Sequence, residues 1–157
     1  MTDTALQALL DREAVGNVLH RYAKAIDTKD WALLETVFTE DVEADFRSFG
    51  GREVQKGRAN WVGIVKGTIA GLDATQHLTG NHVAHVDGDT ATLNAYIIAA
   101  HWFHDARGDA EYTVGGDYDI ELRREADGWR ICRYTLNVAW HRGNRDILRQ
   151  AARRTQS

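Results

Sequence analysis

The second half of the chain alternates between apolar and polar side chains over long stretches. In the segment 112–122, every second residue is aromatic, aliphatic or glycine, and the residues between them are mostly polar or acidic. The same alternation, interrupted by glycine-containing turns, recurs in the segments 75–86, 90–105 and 129–140. Because successive side chains of a strand point to opposite faces of a sheet, this pattern predicts long strands joined by hairpins.

The first part of the chain has helical periodicity instead. Apolar residues there recur at spacings of three and four, which is typical of helices with one buried face. Helices are predicted at Thr4–Asp27, Trp31–Phe38, Arg58–Leu72 and, in the tail after Asn144, Arg145–Arg153. Asp30 is expected to cap the second of them. A short hairpin is expected around Gly50-Gly51. Helices followed by long strands predict an α+β domain over residues 1–157, in which a curved antiparallel sheet wraps around the N-terminal helices.

Composition limits the kind of protein. The chain has 157 residues, of which 43% are hydrophobic, so it can bury the core of one domain. Its 23 acidic and 19 basic residues are mixed along the chain, which argues against a nucleic-acid partner. No stretch approaches the roughly 18 apolar residues of a membrane span. The one cysteine, Cys132, excludes an internal disulfide, and we expect a cytoplasmic protein.

The strand predicted at 75–86 carries polar side chains on one face. Alternation places His77, Thr79, Asn81, Val83 and His85 together on that face. Polar groups on a buried face are costly unless they are hydrogen-bonded or meet a ligand. In the next strand, Ile97 and His101 share the face that we expect to point inward. These two strands are therefore where a site is expected.

Four histidines in these strands raise the possibility of a metal site. His82 is expected on the opposite face from His77 and His85, and neither a cysteine nor a carboxylate completes a set of ligands with His101. We therefore expect no metal and no cofactor.

The strand predicted at 90–105 has apolar residues on both faces. The outer residues are Tyr96, Ile98, Ala100 and Trp102. An apolar outer face is typical of a surface that another chain covers. We expect a homo-oligomer, a dimer or a trimer, assembled through this face.

Several short motifs resemble one family. They are Arg21-Tyr22-Ala23-Lys24-Ala25-Ile26-Asp27 with Asp30-Trp31, Thr75-Gln76-His77 with Asn81, Gly115-Gly116-Asp117-Tyr118, and Arg123-Arg124 through Asp127-Gly128-Trp129. With the order of elements, they make the chain similar to the SnoaL-like group of the nuclear transport factor 2-like superfamily. This group includes scytalone dehydratase, bile acid dehydratase and hexachlorocyclohexane dehydrochlorinase. The resemblance spans nearly the whole chain and implies the cone-shaped fold of that superfamily.

The resemblance also implies a set of site residues. A catalytic aspartate and histidine of the family correspond to Asp27 and His77, and a tyrosine of the dehydratases corresponds to Tyr22. A neutral histidine is a suitable base near pH 7, and an aspartate can stabilise the imidazolium that forms. His101 is the candidate acid, with Tyr118 or Tyr134 as further donors. The substrate is expected to contact Tyr118, Tyr134, Phe46, Asn81, Ile97 and Trp61.

Three functions stay open at this point. The first is a cofactor-independent, dehydratase-like lyase acting on a small hydrophobic cyclic or aromatic substrate. The second is an isomerase that uses the same base to move a double bond, as in ketosteroid isomerase. The third is a binding or assembly domain without catalysis, because a fold does not fix a function. Asp27 with His77 favours the first two.

Overall fold

A six-stranded curved sheet and four helices make up the computed structural model, which describes residues 3–155. The helices are α1 (Asp3–Thr28), α2 (Trp31–Glu35), α3 (Arg58–Ile69) and α4 (Ile147–Arg154). The strands are β1 (Phe38–Asp45), β2 (Gln55–Lys56), β3 (Ala74–Asp87), β4 (Thr90–Trp102), β5 (Glu111–Glu125) and β6 (Gly128–Gly143). This architecture confirms the predicted α+β class, with N-terminal helices and a curved sheet.

The strands lie in the order β2-β1-β6-β5-β4-β3. The four long strands pair antiparallel with their neighbours in sequence, as the hairpin turns predicted. The pair of β1 with β6 is parallel, with Phe38 opposite Ile131, a detail that the alternation of residues did not indicate. The expected early hairpin is present but short, because β1 and β2 pair only through Glu43 with Lys56 and Ala44 with Gln55.

The second helix is shorter than predicted. Asp30 caps it as expected, with its side chain accepting a hydrogen bond of 2.9 Å from the backbone N–H of Leu33. The helix ends at Glu35 rather than Phe38, and Phe38 instead begins β1. The β-branched and aromatic residues here favour a strand, and both Val37 and Phe38 are fully buried in the core.

A bulge in β3 changes which residues face the helices. The register shifts between Gly80 and Val83, and Asn81 has a φ of 53°. Before the bulge His77 and Thr79 are half-buried as predicted, whereas after it Asn81, Val83 and His85 are exposed. The prediction of one continuous polar face is therefore wrong beyond Thr79, because an extra residue reverses the alternation.

The same bulge turns His82 towards α1. Its ring centroid lies 5.1 Å from that of His20, and the side chain is half-buried. The prediction that His82 lies on the opposite face from His77 is wrong, because the extra residue of the bulge brings His82 to the same face as His77.

The core lies between the concave face of the sheet and the helices. On β5 the predicted inward residues Tyr112, Val114, Tyr118, Ile120 and Leu122 are all buried. They pack in one cluster with α1, α3 and α4. No helix within residues 3–155 is both long and apolar enough to cross a membrane.

Candidate active site

A cavity of about 280 Å³ opens between the sheet and helices α1 and α3. Most of its wall is apolar, and its polar groups come from two histidines, two tyrosines and the rim. Predicted site residues on the wall are Tyr22, Phe46, Trp61, His77, His101 and Tyr118. A concave apolar space with a few converging polar groups is typical of a small-molecule site.

Asp27 and His77 are in contact at the inner side of this cavity. Asp27 ends α1 beside the start of β3, and its Oδ1 lies 2.7 Å from Nδ1 of His77. Two more hydrogen bonds fix the carboxylate, because Thr75 Oγ1 donates to Oδ1 at 2.9 Å and the backbone N–H of His77 donates to Oδ2 at 2.9 Å.

These contacts determine the protonation of the pair. Burial by itself raises the pKa of Asp27, but the hydrogen bonds from the side chain and backbone of His77 and from Thr75 outweigh it and lower the pKa below the usual value. An ionised carboxylate can only accept hydrogen bonds, so Asp27 favours the imidazole tautomer of His77 with the proton on Nδ1. Nε2 of His77 is then left as an acceptor on the cavity wall.

His101 is also held as a neutral acceptor. It is 4% exposed, and its ring centroid lies 5.8 Å from that of His77. Its Nδ1 is 3.1 Å from the backbone carbonyl oxygen of Tyr112, which can only accept, so this nitrogen carries the proton. Burial and the neighbouring His77 lower the pKa of His101 to about 4. This geometry favours an acceptor at Nε2 over the predicted general acid.

Three tyrosines form a cluster beside the pair. The ring of Tyr134 lies 5.0 Å from Tyr22 and 4.8 Å from Tyr118, measured between centroids. Burial raises the pKa of Tyr118 to about 12, and burial with the nearby Tyr118 raises that of Tyr22 well above its usual value. Tyr22 and Tyr118 line the cavity, so both present neutral hydroxyl donors to it.

Three residues predicted to contact the substrate lie off the cavity wall. Tyr134 is fully buried against Tyr22 and Tyr118 and is not part of the wall. Ile97 is buried in the core cluster and is not part of the wall. Asn81 is exposed at the bulge of β3, which turns it out of the expected face. The structure therefore does not bring these three to the cavity.

Sequence patterns did not identify the residues at the rim of the cavity. Phe49 and Glu53 come from the irregular connection between β1 and β2, Gln55 begins β2, and Leu148 comes from α4. The loop residues follow no periodicity that could have identified them. Leu148 lies in the helix predicted for the tail, but the sequence did not show what that helix covers. Thr75, the third donor to Asp27, was likewise not recognised.

The histidines and carboxylates do not form a larger cluster. In the part of the chain that the structure describes, no three His, Cys, Asp or Glu side chains are placed to hold a metal ion.

Comparisons with known proteins agree with this architecture. A family model described as a SnoaL-like domain matches residues 7–135. An uncharacterized protein of Mycobacterium tuberculosis is 32% identical over 126 residues, which is 78% of this chain and 82% of the relative. A structure from Kribbella flavida is 28% identical with a TM-score of 0.81, covering 93% of this chain and 99% of that one.

One structure of lower identity shares the fold. It is a Novosphingobium aromaticivorans protein assigned as a scytalone dehydratase, which is 20% identical with a TM-score of 0.77, covering 92% of each chain. At this identity the match shows the fold alone. The family model spans most of the chain, and the chain therefore belongs to the SnoaL-like domain family.

Proposed function

We propose that this chain is a cofactor-independent lyase that eliminates water from a small hydrophobic cyclic or aromatic substrate. The observation that carries the proposal is the contact between Asp27 and His77 on the wall of an apolar cavity. Three hydrogen bonds hold the Asp27 carboxylate against His77, and the same histidine borders the cavity. Elimination needs such a base, together with donors for the oxygen atoms that gain charge.

The mechanism follows from the placement of the groups. Nε2 of His77 removes a proton from a carbon next to a substrate carbonyl, and Asp27 stabilises the imidazolium that forms. Tyr22 and Tyr118, which border the cavity, donate to the carbonyl oxygen as it becomes an enolate. The enolate then re-forms the carbonyl, a carbon–carbon double bond forms, and the carbon–oxygen bond to the hydroxyl breaks. The imidazolium returns its proton to the departing hydroxide, which leaves as water.

His101 has a separate part in this scheme. Its Nδ1 is engaged with the Tyr112 carbonyl, so its Nε2 accepts a hydrogen bond from a substrate hydroxyl. That contact orients the substrate against His77, whose ring is 5.8 Å away.

A double-bond isomerase is the second candidate. The same base and the same tyrosine donors would form an enolate, and the imidazolium would return its proton to a different carbon of the substrate. The two neutral tyrosines beside the pair favour this candidate as well, because they stabilise an enolate whether or not a group leaves.

Activity on a set of cyclic hydroxy-ketones tests the proposal. Loss of water produces a conjugated ketone, which can be followed by its ultraviolet absorbance. We expect His77→Ala to lower kcat by about 100- to 10,000-fold, as for other general bases, with binding nearly unchanged. Asp27→Asn should cause a similarly large loss, and the double variant should be no worse than His77→Ala alone because the two residues act as one unit.

The opposite pattern would replace the mechanism. If His77→Ala kept full activity while Asp27→Asn were inactive, Asp27 would be the base and the isomerase-like scheme would apply. Full activity of both variants would leave the pair without a catalytic role.

A further inference from the structure

The cavity wall has an unusual balance of charge. Among the described residues 3–155 that line it, the one acidic side chain is Glu53, at the rim, and no lysine or arginine lines it. The remaining polar side chains on the wall are Tyr, His, Gln and Thr. A ligand therefore meets a negative charge at the entrance and neutral groups along the wall.

The inner side of the cavity adds a second negative charge. Asp27 is ionised behind His77, because its hydrogen bonds lower its pKa. His101 stays neutral at ordinary pH, because burial lowers its pKa to about 4. Neither end of the cavity thus offers a fixed positive charge to a ligand.

The cations near the rim are not among the residues that line the wall. Lys56 is paired with Glu43, its Nζ lying 2.9 Å from Oε1. The guanidinium of Arg145 keeps its positive charge, but it donates to the backbone carbonyl of Phe49 and lies 5.1 Å from the centroid of the Phe49 ring, outside the wall. Arg52 precedes Glu53 in the chain, and its side chain is not part of the wall.

Two physical effects then oppose an anionic ligand. A carboxylate that leaves water for an apolar space without a cationic partner loses hydration that nothing replaces. Glu53 adds direct repulsion at the entrance, and that repulsion is weakened by water because the side chain is exposed. The volume of about 280 Å³ limits the ligand to one or two rings.

We propose that Glu53 and the uncharged wall make this cavity selective for uncharged ligands of one or two rings, and that ligands carrying a carboxylate or phosphate are rejected. This inference rests on the proposed function only in taking the cavity as the substrate site. It adds the charge of the substrate and a residue that determines specificity.

Two probes of equal shape test the proposal. The amide 6-hydroxy-2-naphthamide and the acid 6-hydroxy-2-naphthoate differ at pH 7.5 in charge and hardly at all in size. We expect calorimetry to show at least about tenfold tighter binding of the amide to the wild-type chain. Glu53→Gln should lower the ratio of the two dissociation constants, acid over amide, by about threefold, and Glu53→Lys should lower it further. In both variants the change should come from tighter binding of the acid, with binding of the amide unchanged.

The matched control is Glu35→Gln. Glu35 is exposed on α2 and does not line the cavity, so its loss removes the same charge elsewhere and should leave the difference unchanged. Because the readout is equilibrium binding and requires no turnover of either probe, the result does not depend on catalysis, which separates this proposal from the catalytic one. Equal or tighter binding of the acid to the wild-type chain would overturn it, as would binding of neither probe or an unchanged difference in Glu53→Lys.

Discussion

At the scale of single residues, the buried His101 gives the fold a dependence on pH. Its pKa in the folded chain is about 4, because burial and the nearby His77 disfavour the charged ring, against about 6.5 for an exposed histidine. Above pH 6.5 the ring is neutral whether the chain is folded or not. Between pH 6.5 and about 4 the unfolded chain binds a proton that the folded chain does not, so acid favours unfolding.

We therefore expect the free energy of unfolding to fall by about 1.4 kcal/mol per pH unit from this residue over that window, and by about 3 kcal/mol in all. The measurement is urea unfolding at several pH values for the wild type and for His101→Gln, which keeps a donor for the Tyr112 carbonyl. The variant should lose less stability on acidification. Parallel curves for the two proteins would show that His101 is not the group responsible.

The tyrosines of the cavity offer a second test at this scale. Tyr22 and Tyr118 both present neutral hydroxyls to the cavity, so each can replace part of what the other does. We expect Tyr22→Phe or Tyr118→Phe alone to lower kcat by about tenfold, and the double variant to lose more than the product of the two. Because burial raises the pKa of Tyr118 to about 12, neither hydroxyl should produce an alkaline limb in the pH–rate profile below pH 10. Such a limb, removed by Tyr118→Phe, would contradict this assignment.

Among the elements, β3 depends on a residue with a left-handed backbone. Asn81 has a φ of 53° in the bulge, a conformation that asparagine and glycine adopt more readily than β-branched residues. Asn81→Val should lower the free energy of unfolding by about 1–2 kcal/mol, whereas Asn81→Gly should leave it nearly unchanged. Chemical denaturation measures both. If valine were tolerated as well as glycine, the bulge would not be fixed in solution.

The contact between α4 and the turn after α3 depends on Gly71. A Cβ added there would lie 1.9 Å from the carbonyl oxygen of Ala151, so the backbone of α4 would have to move. We expect Gly71→Ala to lower stability by about 2 kcal/mol and to weaken ligand binding, because α4 carries Leu148 at the rim.

Gly67→Ala is the matched control in the same segment. A Cβ at Gly67, within α3, meets nothing within 4 Å, so this change should raise stability by about 0.5–1 kcal/mol. The same denaturation measurement serves both variants. Equal effects of the two changes would show that the approach of α4 is not tight.

On the scale of the whole molecule, the outer face of the sheet carries an apolar row. The strand register places Leu78 beside Ile98, Ile98 beside Gly115, and Gly115 beside Trp140. Leu78 is 60% exposed, and Ile98 and Trp140 are each 46% exposed. Tyr96, next to them, is 60% exposed. Ala100 and Trp102, which were expected to extend this patch, are half-buried. Large apolar side chains from three strands, aligned in one row, are atypical of a surface that faces only water.

We propose that a second copy of the chain covers this row. An uncharged apolar row can pack against itself about a twofold axis, since the same residues meet on both sides. Light scattering at micromolar concentration should give a dimer, and Ile98→Asp should give a monomer. Leu9→Asp, which changes an exposed leucine on α1, is the control and should not change the mass. A monomeric wild type would contradict the proposal.

Much of this molecule follows from local sequence. Side-chain alternation predicted the four long strands, because it depends only on the direction of successive residues, and helical periodicity predicted α1 closely. Asp30 was recognised as a cap because capping involves residues three positions apart. The nearness of Asp27 and His77 was expected from motifs shared with a family, since residues 50 apart in sequence give no local sign of contact.

Other features were decided only by packing between distant segments. The bulge in β3 depends on how β4 pairs with it, and this pairing turned Asn81 outward and His82 inward. The same dependence on distant partners moved Tyr134 behind the other tyrosines and directed Nδ1 of His101 at the Tyr112 carbonyl. Glu53 of an irregular loop and Leu148 of α4 both lie at the rim of the cavity. Five of the six strands lie between these two residues in the sequence. The sequence determined most of the elements and most of their buried faces, and the tertiary structure determined the bulge and the cavity, because both depend on where distant elements meet.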